Sequence, residues 1–267
     1  MDDAGRLVSV SPRPKRIVST LPSVTELIVA LGAADRLVAR TRYDTDPRIA
    51  DVPSLGLTLT PSAEAILAFE PELVIGGGDW GARGWPLLES AGLRIYLANV
   101  QRTADIYSTA RRLGTLLDIP VSADSLIRRL EAGLDTVRRA VAGRPRASVL
   151  YLIWPRPPQT AGPGTFIDEV ITAAGGRNVF ADSPIRWPQI SVEEILRRDP
   201  DVIVLPQGRS HATPFEMVDG EPGWRDLTAF REGRVVRVES DLFNRPGPRV
   251  AEAARTLSRA LHPGAWR

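Results

Sequence analysis

The side chains best suited to binding a ligand in this chain are aromatic, and several of them follow predicted strands. They are Tyr43, Trp80, Trp85, Trp154, Phe166, Trp187 and Phe243. Ligands of parallel α/β sheets bind beyond the carboxyl ends of the strands. Flat apolar side chains at that edge favour a large planar or partly apolar ligand, although each ring could instead pack a loop against the core.

Two charged residues in the last of these loops suggest polar contacts to the same ligand. Asp241 and Arg245 stand four residues apart in the segment 240–248, which we predict to be a loop. A carboxylate and a guanidinium at that spacing can bind polar groups of a ligand, or they can pair with each other. The spacing leaves both interpretations open.

Catalysis and metal binding have little support in the composition. The chain has no cysteine and only two histidines, His211 and His262, which leaves few nucleophiles and few metal ligands. The glycine run 76–78 lacks the spacing of a phosphate-binding loop, so we predict a turn with an unusual φ there. We therefore assign no catalytic residue and no metal ligand, and we expect a protein that is not an enzyme.

The charge balance argues against nucleic acid as a partner. The sequence has 34 basic and 32 acidic residues, a formal net charge of +2, whereas nucleic-acid-binding domains are usually strongly basic. No stretch approaches the roughly 20 uninterrupted apolar residues of a membrane span. Residues 1–11 show no basic start followed by an apolar core, so no secretion signal is visible.

A repeated pattern of elements positions the loops. Residues 62–75 predict a capped short helix, a proline break and a buried strand, and residues 191–204 repeat Ser, Glu, Ile, Leu and Pro in the same register. A duplication at so long a period indicates two similar α/β lobes. Glu64 and Glu193 occupy equivalent positions near the two helix starts, where they either favour the helix or meet arginines of a two-fold partner.

One long amphipathic helix separates the two halves. We predict an α/β fold of two similar lobes with central parallel sheets, joined by this one long backbone helix. The expected boundaries are 12–119 for the N-terminal lobe, 120–143 for the bridging helix and 144–267 for the C-terminal lobe. In the first lobe, Ser23 and Glu26 have the spacing of a capping box, and Gly32 suits a helix stop.

Several segments together resemble a known family. They are residues 16–26 (RIVSTLPSVTE), 30–32 (ALG), the two Ser-x-Glu repeats with their prolines, 175–180 (GGRNVF), 187–191 (WPQIS) and 240–245 (SDLFNR). In these segments the chain is similar to class III periplasmic substrate-binding proteins, which serve ABC importers for cobalamin, haem and ferric siderophores. The likeness covers about residues 12 to 262 and is greatest to the cobalamin-binding members.

The resemblance implies a ligand and the residues that contact it. A corrinoid would be captured in the cleft between the lobes, with Tyr43, Phe166 and Trp187 packed on the corrin ring. Asp241 and Arg245 would line the same pocket. The cobalamin would be cargo, so no resident cofactor is expected.

Because the sequence departs from the family pattern at several positions, ligands other than cobalamin are alternatives. Trp80 falls in a ligand-binding loop whose alignment is offset, Leu57 or Thr58 stands where a second cleft tryptophan is expected, and Asn244 replaces an acidic residue. Haem is an alternative, with Tyr43 as its axial ligand. A ferric siderophore is another, held by the arginines Arg42, Arg83, Arg156 and Arg186.

The resemblance also implies a partner and a location. Glu64 and Glu193 match the glutamates with which each lobe docks on arginines of an ABC permease dimer. A periplasmic location follows, with a signal peptide lying upstream of the given sequence, and we expect a monomer. A cytoplasmic enzyme on a related two-lobed scaffold is the alternative of a different class.

Overall fold

The computed structural model describes residues 1–8, 13–56, 62–77, 81–208, 218–220 and 222–266, with the backbone alone for residues 81–84. The chain divides into two compact units, Met1–Arg129 (unit 1) and Leu130–Arg267 (unit 2). Each unit contains a largely parallel sheet with helices, which confirms the predicted α/β class.

Unit 1 is built on a parallel four-stranded sheet. Its strands are β1 (Ile17–Ser19), β2 (Leu37–Ala39), β3 (Leu73–Gly77) and β4 (Ile95–Ala98), in the order β2-β1-β3-β4. The central strand β1 is buried throughout and β3 is buried up to Gly76, with Val18 opposite Val74 in the ladder. Strands covered on both faces are typical of parallel α/β sheets, and their sequences are accordingly apolar runs.

The helices of unit 1 follow its strands. They are α1 (Pro22–Ala30), α2 (Ala63–Leu67), α3 (Gly81–Ser90) and α4 (Thr103–Leu116), with short 3₁₀ turns at Ala34–Arg36 and Pro47–Ile49. The capping box predicted at Ser23 and Glu26 is wrong. Helix α1 begins at Pro22 with Leu21 as its N-cap, two residues before the predicted cap, and has no side-chain cap, because proline is preorganised for the first helical position.

Unit 2 repeats the strand order of unit 1 and adds one strand. Its strands are β5 (Ser148–Pro155), β6 (Pro158–Thr160), β7 (Arg177–Asn178), β8 (Val202–Gln207) and β9 (Val235–Glu239). The parallel strands run in the order β7-β5-β8-β9, equivalent to β2-β1-β3-β4. The added strand β6 is antiparallel to the last part of β5.

Unit 2 contains the helices α6 (Phe166–Ala173), α7 (Val192–Arg198), α8 (Thr228–Arg231), α9 (Ser240–Asn244) and α10 (Val250–Leu261) among its described residues, with 3₁₀ turns at Trp224–Asp226 and Pro263–Ala265. The loop predicted over residues 240–248 is wrong in its first half, which forms α9. The Glu239 carboxylate caps this helix by accepting hydrogen bonds from the backbone N–H groups of Asp241 (2.8 Å) and Leu242 (2.7 Å).

Helix α5 (Pro120–Val141) begins in unit 1 and ends in unit 2. Its 22 residues give a length of about 33 Å at 1.5 Å per residue. The apolar residues that share one face of this helix are buried along its length: Leu126, Ile127, Leu130, Leu134, Val137 and Val141. Among the described residues, no helix has the length and apolar character needed to cross a membrane.

Candidate functional site

The loop that follows β2 in unit 1 is held by one arginine. The Arg40 guanidinium donates to the backbone carbonyls of Ile49 (3.0 Å), Thr41 (3.1 Å), Asp44 (3.1 Å) and Ala50 (3.1 Å). The guanidinium group is planar and holds its donors in fixed directions. Four hydrogen bonds from this one group therefore restrict the conformation of the loop backbone. The loop is therefore a fixed platform at the carboxyl end of the sheet.

Tyr43 lies in this loop with its side chain half-buried. The Arg42 guanidinium carbon is 5.3 Å from the centroid of its ring, within the range of a cation–π contact. The next residue, Asp44, is buried, and its carboxylate accepts from the Thr41 backbone N–H (2.7 Å) and hydroxyl (2.8 Å). Trp80, Leu57 and Thr58, also considered for this site, lie outside the described residues.

Two glycines further along the chain, Gly76 and Gly77, do not form the predicted turn. Gly76 and Gly77 lie within β3, and neither has a positive φ. A side chain at Gly76 would overlap the Trp85 indole. The predicted turn is wrong at Gly76 and Gly77, which continue the strand, and Gly78 lies outside the described residues. Trp85 itself is 4% exposed and belongs to the core of unit 1.

In unit 2, a segment containing Trp187 pairs with β6. The Thr160 N–H donates to the Pro188 carbonyl (3.2 Å), the Ile190 N–H to the Pro158 carbonyl (2.9 Å) and the Gly162 N–H to the Arg186 carbonyl (2.7 Å). Gln159 and Gln189 are the directly paired residues of this antiparallel bridge. The segment therefore extends the hairpin β5–β6 by one more extended piece of chain.

Burial alternates along this segment in the way that pairing requires. Trp187 and Gln189 are exposed, whereas Pro188 and Ile190 are buried. Trp187 is 38% exposed and Trp154, at the end of β5, is 45% exposed. Trp154 is paired with Gln159, which is paired with Gln189. Residues aligned across neighbouring strands share a face, so we name these four the indole–amide face: Trp154, Gln159, Trp187 and Gln189.

The other predicted ligand contacts of unit 2 are buried. Phe166 is the first residue of α6 and is 3% exposed. Asp241 and Arg245 pair with each other at 2.8 Å, and each side chain is 9% exposed. Of the two interpretations of their spacing, mutual pairing is the one seen, in an environment where such a pair is hydrogen-bonded and largely dry.

A buried tyrosine supports this part of the unit. The Tyr151 hydroxyl donates to Asn244 Oδ1 (2.8 Å), and its ring stacks on Phe243 with a centroid distance of 6.2 Å and an interplanar angle of 17°. Burial, followed by the nearby charge of Glu239, raises the pKa of Tyr151 well above its ordinary value. Phe243, predicted at a strand end, is 1% exposed and packs in the core.

Glu64 and Glu193 occupy the same place in two equivalent helices. Each is the second residue of its helix, after a serine N-cap whose hydroxyl accepts the N–H of the third residue at 3.1 Å. Both side chains are exposed. Hydrogen bonds to its own backbone and to the Ser191 side chain lower the pKa of Glu193 below its ordinary value. Both carboxylates are thus presented to solvent in the same local geometry.

The sequence interpretation did not single out two members of the indole–amide face as site residues, Gln159 and Gln189, and it gave Trp154 no more weight than the other strand-end aromatics. Trp187 precedes a proline, which favours extended backbone, so the sequence did contain a local signal for an extended segment. Its pairing partner, however, lies about 30 residues earlier in the chain, beyond what local periodicity can indicate. Within the described residues, no group of three or more His, Asp or Glu side chains could hold a metal ion.

Comparisons with known proteins identify the family. The sequence matches the family model described as periplasmic binding protein over residues 17–242. A cobalamin-binding protein of Halobacterium salinarum is 30% identical over 273 residues, which cover 98% of this chain and 73% of that protein.

Solved structures of two proteins that are named for different ligands share the fold. A periplasmic haem-binding protein of Roseiflexus sp. RS-1, in its apo form, is 28% identical with a TM-score of 0.82, covering 94% of this chain and 99% of that one. A periplasmic vitamin B12-binding protein of Vibrio cholerae is 26% identical with a TM-score of 0.79, covering 96% and 100%.

Members of this family are solute-binding proteins rather than enzymes, which confirms the expectation drawn from the sequence. They bind small ligands and deliver them to ABC permeases. The matched segment includes both serine-capped repeats and most of both sheets. The chain belongs to the periplasmic binding protein family.

Proposed function

We propose that this protein is the substrate-binding component of an ABC importer and that its cargo is cobalamin or a related corrinoid. It would act as a monomer in the periplasm and release its cargo unchanged. The observation that carries the choice of ligand class is the exposed indole of Trp187 at the carboxyl end of the unit 2 sheet, where ligands of α/β folds bind. The cobalamin-binding relative from Halobacterium salinarum supports it.

The physical reason is the cost of leaving large apolar surface in water. An indole at the edge of a sheet gains about 25 cal/mol for each Å² that a ligand covers, and flat rings are best covered by another flat surface. Tyr43 would present a second ring from the rigid loop of unit 1, and Phe166 would support α6 beneath the site. The Asp241–Arg245 pair would offer polar edges to the ligand.

Haem is the second candidate, because the Roseiflexus haem-binding protein is 28% identical to this chain. A haem iron needs an axial ligand from the protein. Tyr43 is the candidate, since its ring is half-buried in a loop that Arg40 holds in place. A tyrosinate–iron bond would give a charge-transfer absorption band that the corrinoid proposal does not predict.

Calorimetric titration with cyanocobalamin and an absorption titration with hemin separate the two cargoes. We expect heat and a raised melting temperature with cyanocobalamin, because a ligand that binds only the folded state stabilises it. With hemin we expect no tyrosinate band. A band that disappears in Tyr43→Phe, together with no response to cyanocobalamin at tens of micromolar, would replace the corrinoid proposal by haem.

We further propose that Glu64 and Glu193 dock on arginines of the permease. The equivalence of the two residues supports this proposal: both are exposed, and both follow a serine cap at the start of a short helix. The double variant Glu64→Arg/Glu193→Arg should keep its ligand affinity and lose stimulation of ATP hydrolysis by the importer. The matched control is Asp124→Arg/Glu131→Arg on exposed positions of α5. Normal stimulation by the first variant would refute the docking assignment.

A further inference from the structure

We propose that the indole–amide face of unit 2 selects the cargo and that Trp154 contacts the ligand together with Trp187. The proposal rests on the ligand-binding function above and narrows it to planar macrocycles whose rim carries amides. The face was defined by pairing within one unit, so the inference uses only the geometry of unit 2.

The size of the face follows from strand spacing. Trp154, Gln159 and Gln189 are consecutive partners across three neighbouring segments, which places the outer two about 10 Å apart at roughly 4.8 Å per step. Trp187 precedes Gln189 by two residues, which is about 7 Å along an extended segment. Two indoles and two amides therefore share a surface with the dimensions of a planar macrocycle.

The backbone beneath this face is held in place before any ligand arrives. The three hydrogen bonds between residues 158–162 and residues 186–190 measure 2.7 to 3.2 Å. Pro188 and Ile190 are buried on the opposite side. A side chain at Gly162 would overlap the Ile185 carbonyl oxygen, so this glycine permits the close approach of the segment. Preorganisation of this kind lowers the entropic cost of binding.

The chemistry of the four side chains favours a ligand whose rim carries amides over a ligand whose rim carries carboxylates. All four are uncharged, and each glutamine amide both donates and accepts hydrogen bonds. Primary amides, which surround a corrin ring, match such partners in both directions. Carboxylates, which haem carries, bind best to arginine or lysine through charge-assisted hydrogen bonds. The face therefore favours an amide-rimmed ring over a carboxylate-bearing one.

The first test removes the indole. Trp154→Ala should weaken cyanocobalamin binding by about tenfold, and Trp154→Phe should retain most of the affinity, because a flat ring remains. Trp154 is 45% exposed, so its removal leaves no cavity and the melting temperature should not change. The matched control is Trp266→Ala, whose indole bonds to the Ser258 hydroxyl on α10. This control should bind cyanocobalamin like the parent protein.

The second test changes the charge of the face. Gln189→Arg should lower the affinity for cyanocobalamin and raise the affinity for hemin, which brings carboxylates to the new guanidinium. Ala132→Arg places the same charge on an exposed position of α5 and should move neither affinity. An opposite shift of the two ligands is an outcome that mere damage to the fold would not produce.

The results distinguish this inference from the function on which it rests. A parent protein that binds no cyanocobalamin overturns both. A parent protein that binds it, with Trp154→Ala and Gln189→Arg unchanged in affinity, overturns the inference and leaves the proposed function standing. Should Trp154→Ala fail to fold, Gln189→Arg and Trp154→Phe decide the question by the hemin-to-cobalamin ratio.

Discussion

Unit 1 and unit 2 share one framework but differ in what is attached to it. Both sheets have the same strand order, and both contain a serine-capped helix, a proline and a buried strand. Only unit 2, among the described residues, adds an antiparallel strand and a segment paired to it. The shared framework provides the core and the equivalent glutamates, whereas the added hairpin carries the proposed selection surface.

The likeness extends to backbone conformation. Glu70 and Asp199 are equivalent residues before the prolines, and both have positive φ values, 44° and 36°. The two residues differ in the hydrogen bonds of their side chains. The Asp199 carboxylate accepts from the Thr228 N–H (2.8 Å) and hydroxyl (2.7 Å). The same local turn has therefore acquired a link to α8 in unit 2.

The two central strands differ most at one equivalent position. Unit 1 has Gly76, against which the Trp85 indole packs, whereas unit 2 has Leu205, fully buried in its core. In unit 1 the space beside this strand position is filled by Trp85 from helix α3, and in unit 2 it is filled by the side chain of the strand residue Leu205. The two equivalent strands are therefore packed in different ways.

The largest expected effect comes from emptying this position in unit 2. Leu205→Ala should lower the free energy of unfolding by about 2 to 5 kcal/mol, since a buried leucine loses its contacts and leaves a cavity. Urea denaturation measures it. Leu87→Ala, at a position 60% exposed, is the control and should change little. A loss below about 1 kcal/mol for Leu205→Ala would mean that the core closes around the gap.

Filling the position in unit 1 should have the next largest effect. Gly76→Ala should cost about 1 to 3 kcal/mol because the added methyl group overlaps the Trp85 indole most and would also lie 2.7 Å from Thr20 Oγ1. Gly77→Ala is a matched control, since its nearest neighbour would be Leu21 Cδ1 at 3.9 Å. The cost of Gly76→Ala should shrink in a Trp85→Phe background. An equal cost in both backgrounds would remove Trp85 as the cause.

The serine caps should contribute equally in the two units. Ser62→Ala and Ser191→Ala should each cost about 1 kcal/mol, because each leaves one helical N–H without its cap. Thermal or urea unfolding measures both, and Ser→Asn at either site should restore most of the loss. A clear difference between the two alanine variants would show that the repeats have diverged in energy although their geometry agrees.

The smallest expected effect is the pH dependence that one carboxylate of unit 2 contributes. Burial alone would raise the pKa of Asp201, but hydrogen bonds from the Ser148 backbone N–H (2.6 Å) and hydroxyl (2.7 Å) outweigh it and lower the pKa below 3.8. The stabilisation is present above the unfolded value and is lost as the pH falls through the folded pKa.

Acid unfolding tests this assignment. Asp201→Asn should unfold less steeply than the parent protein below about pH 4, because it has no proton to take up. Asp124→Asn, at an exposed position of α5, serves as the control. Identical acid profiles for parent and Asp201→Asn would contradict the role given to Ser148.

Local features of the fold were predictable where one residue decides the geometry. Gly32, with φ of +87°, ends the first helix region as predicted, because a left-handed residue there favours glycine. Ser62 and Ser191 cap their helices as predicted. For the first helix, the Ser23–Glu26 spacing and Pro22 indicate different starting residues, and the helix begins at Pro22. At Ser240 the cap came from Glu239, a residue that is less common as an N-cap.

The assigned site was predictable only in part. The Tyr43 ring is half-buried, and the Trp187 ring and the carboxylates of the two glutamates are exposed, as contact with a ligand or partner requires. Phe166 and the Asp241–Arg245 pair are buried, which no spacing rule indicates. The roles of all these residues remain predictions for the experiments above.

Residue order established the duplicated α/β units, the long amphipathic helix and the family, because helix caps, apolar periodicity and repeats act over a few neighbouring residues. Folding in three dimensions decided which aromatic rings face solvent and which fill the core. Trp85 and Trp187 were both predicted in loops at strand ends, yet one is 4% and the other 38% exposed. The reason is that burial depends on partners distant in the chain, such as the pairing of Gln159 with Gln189, which local composition does not encode.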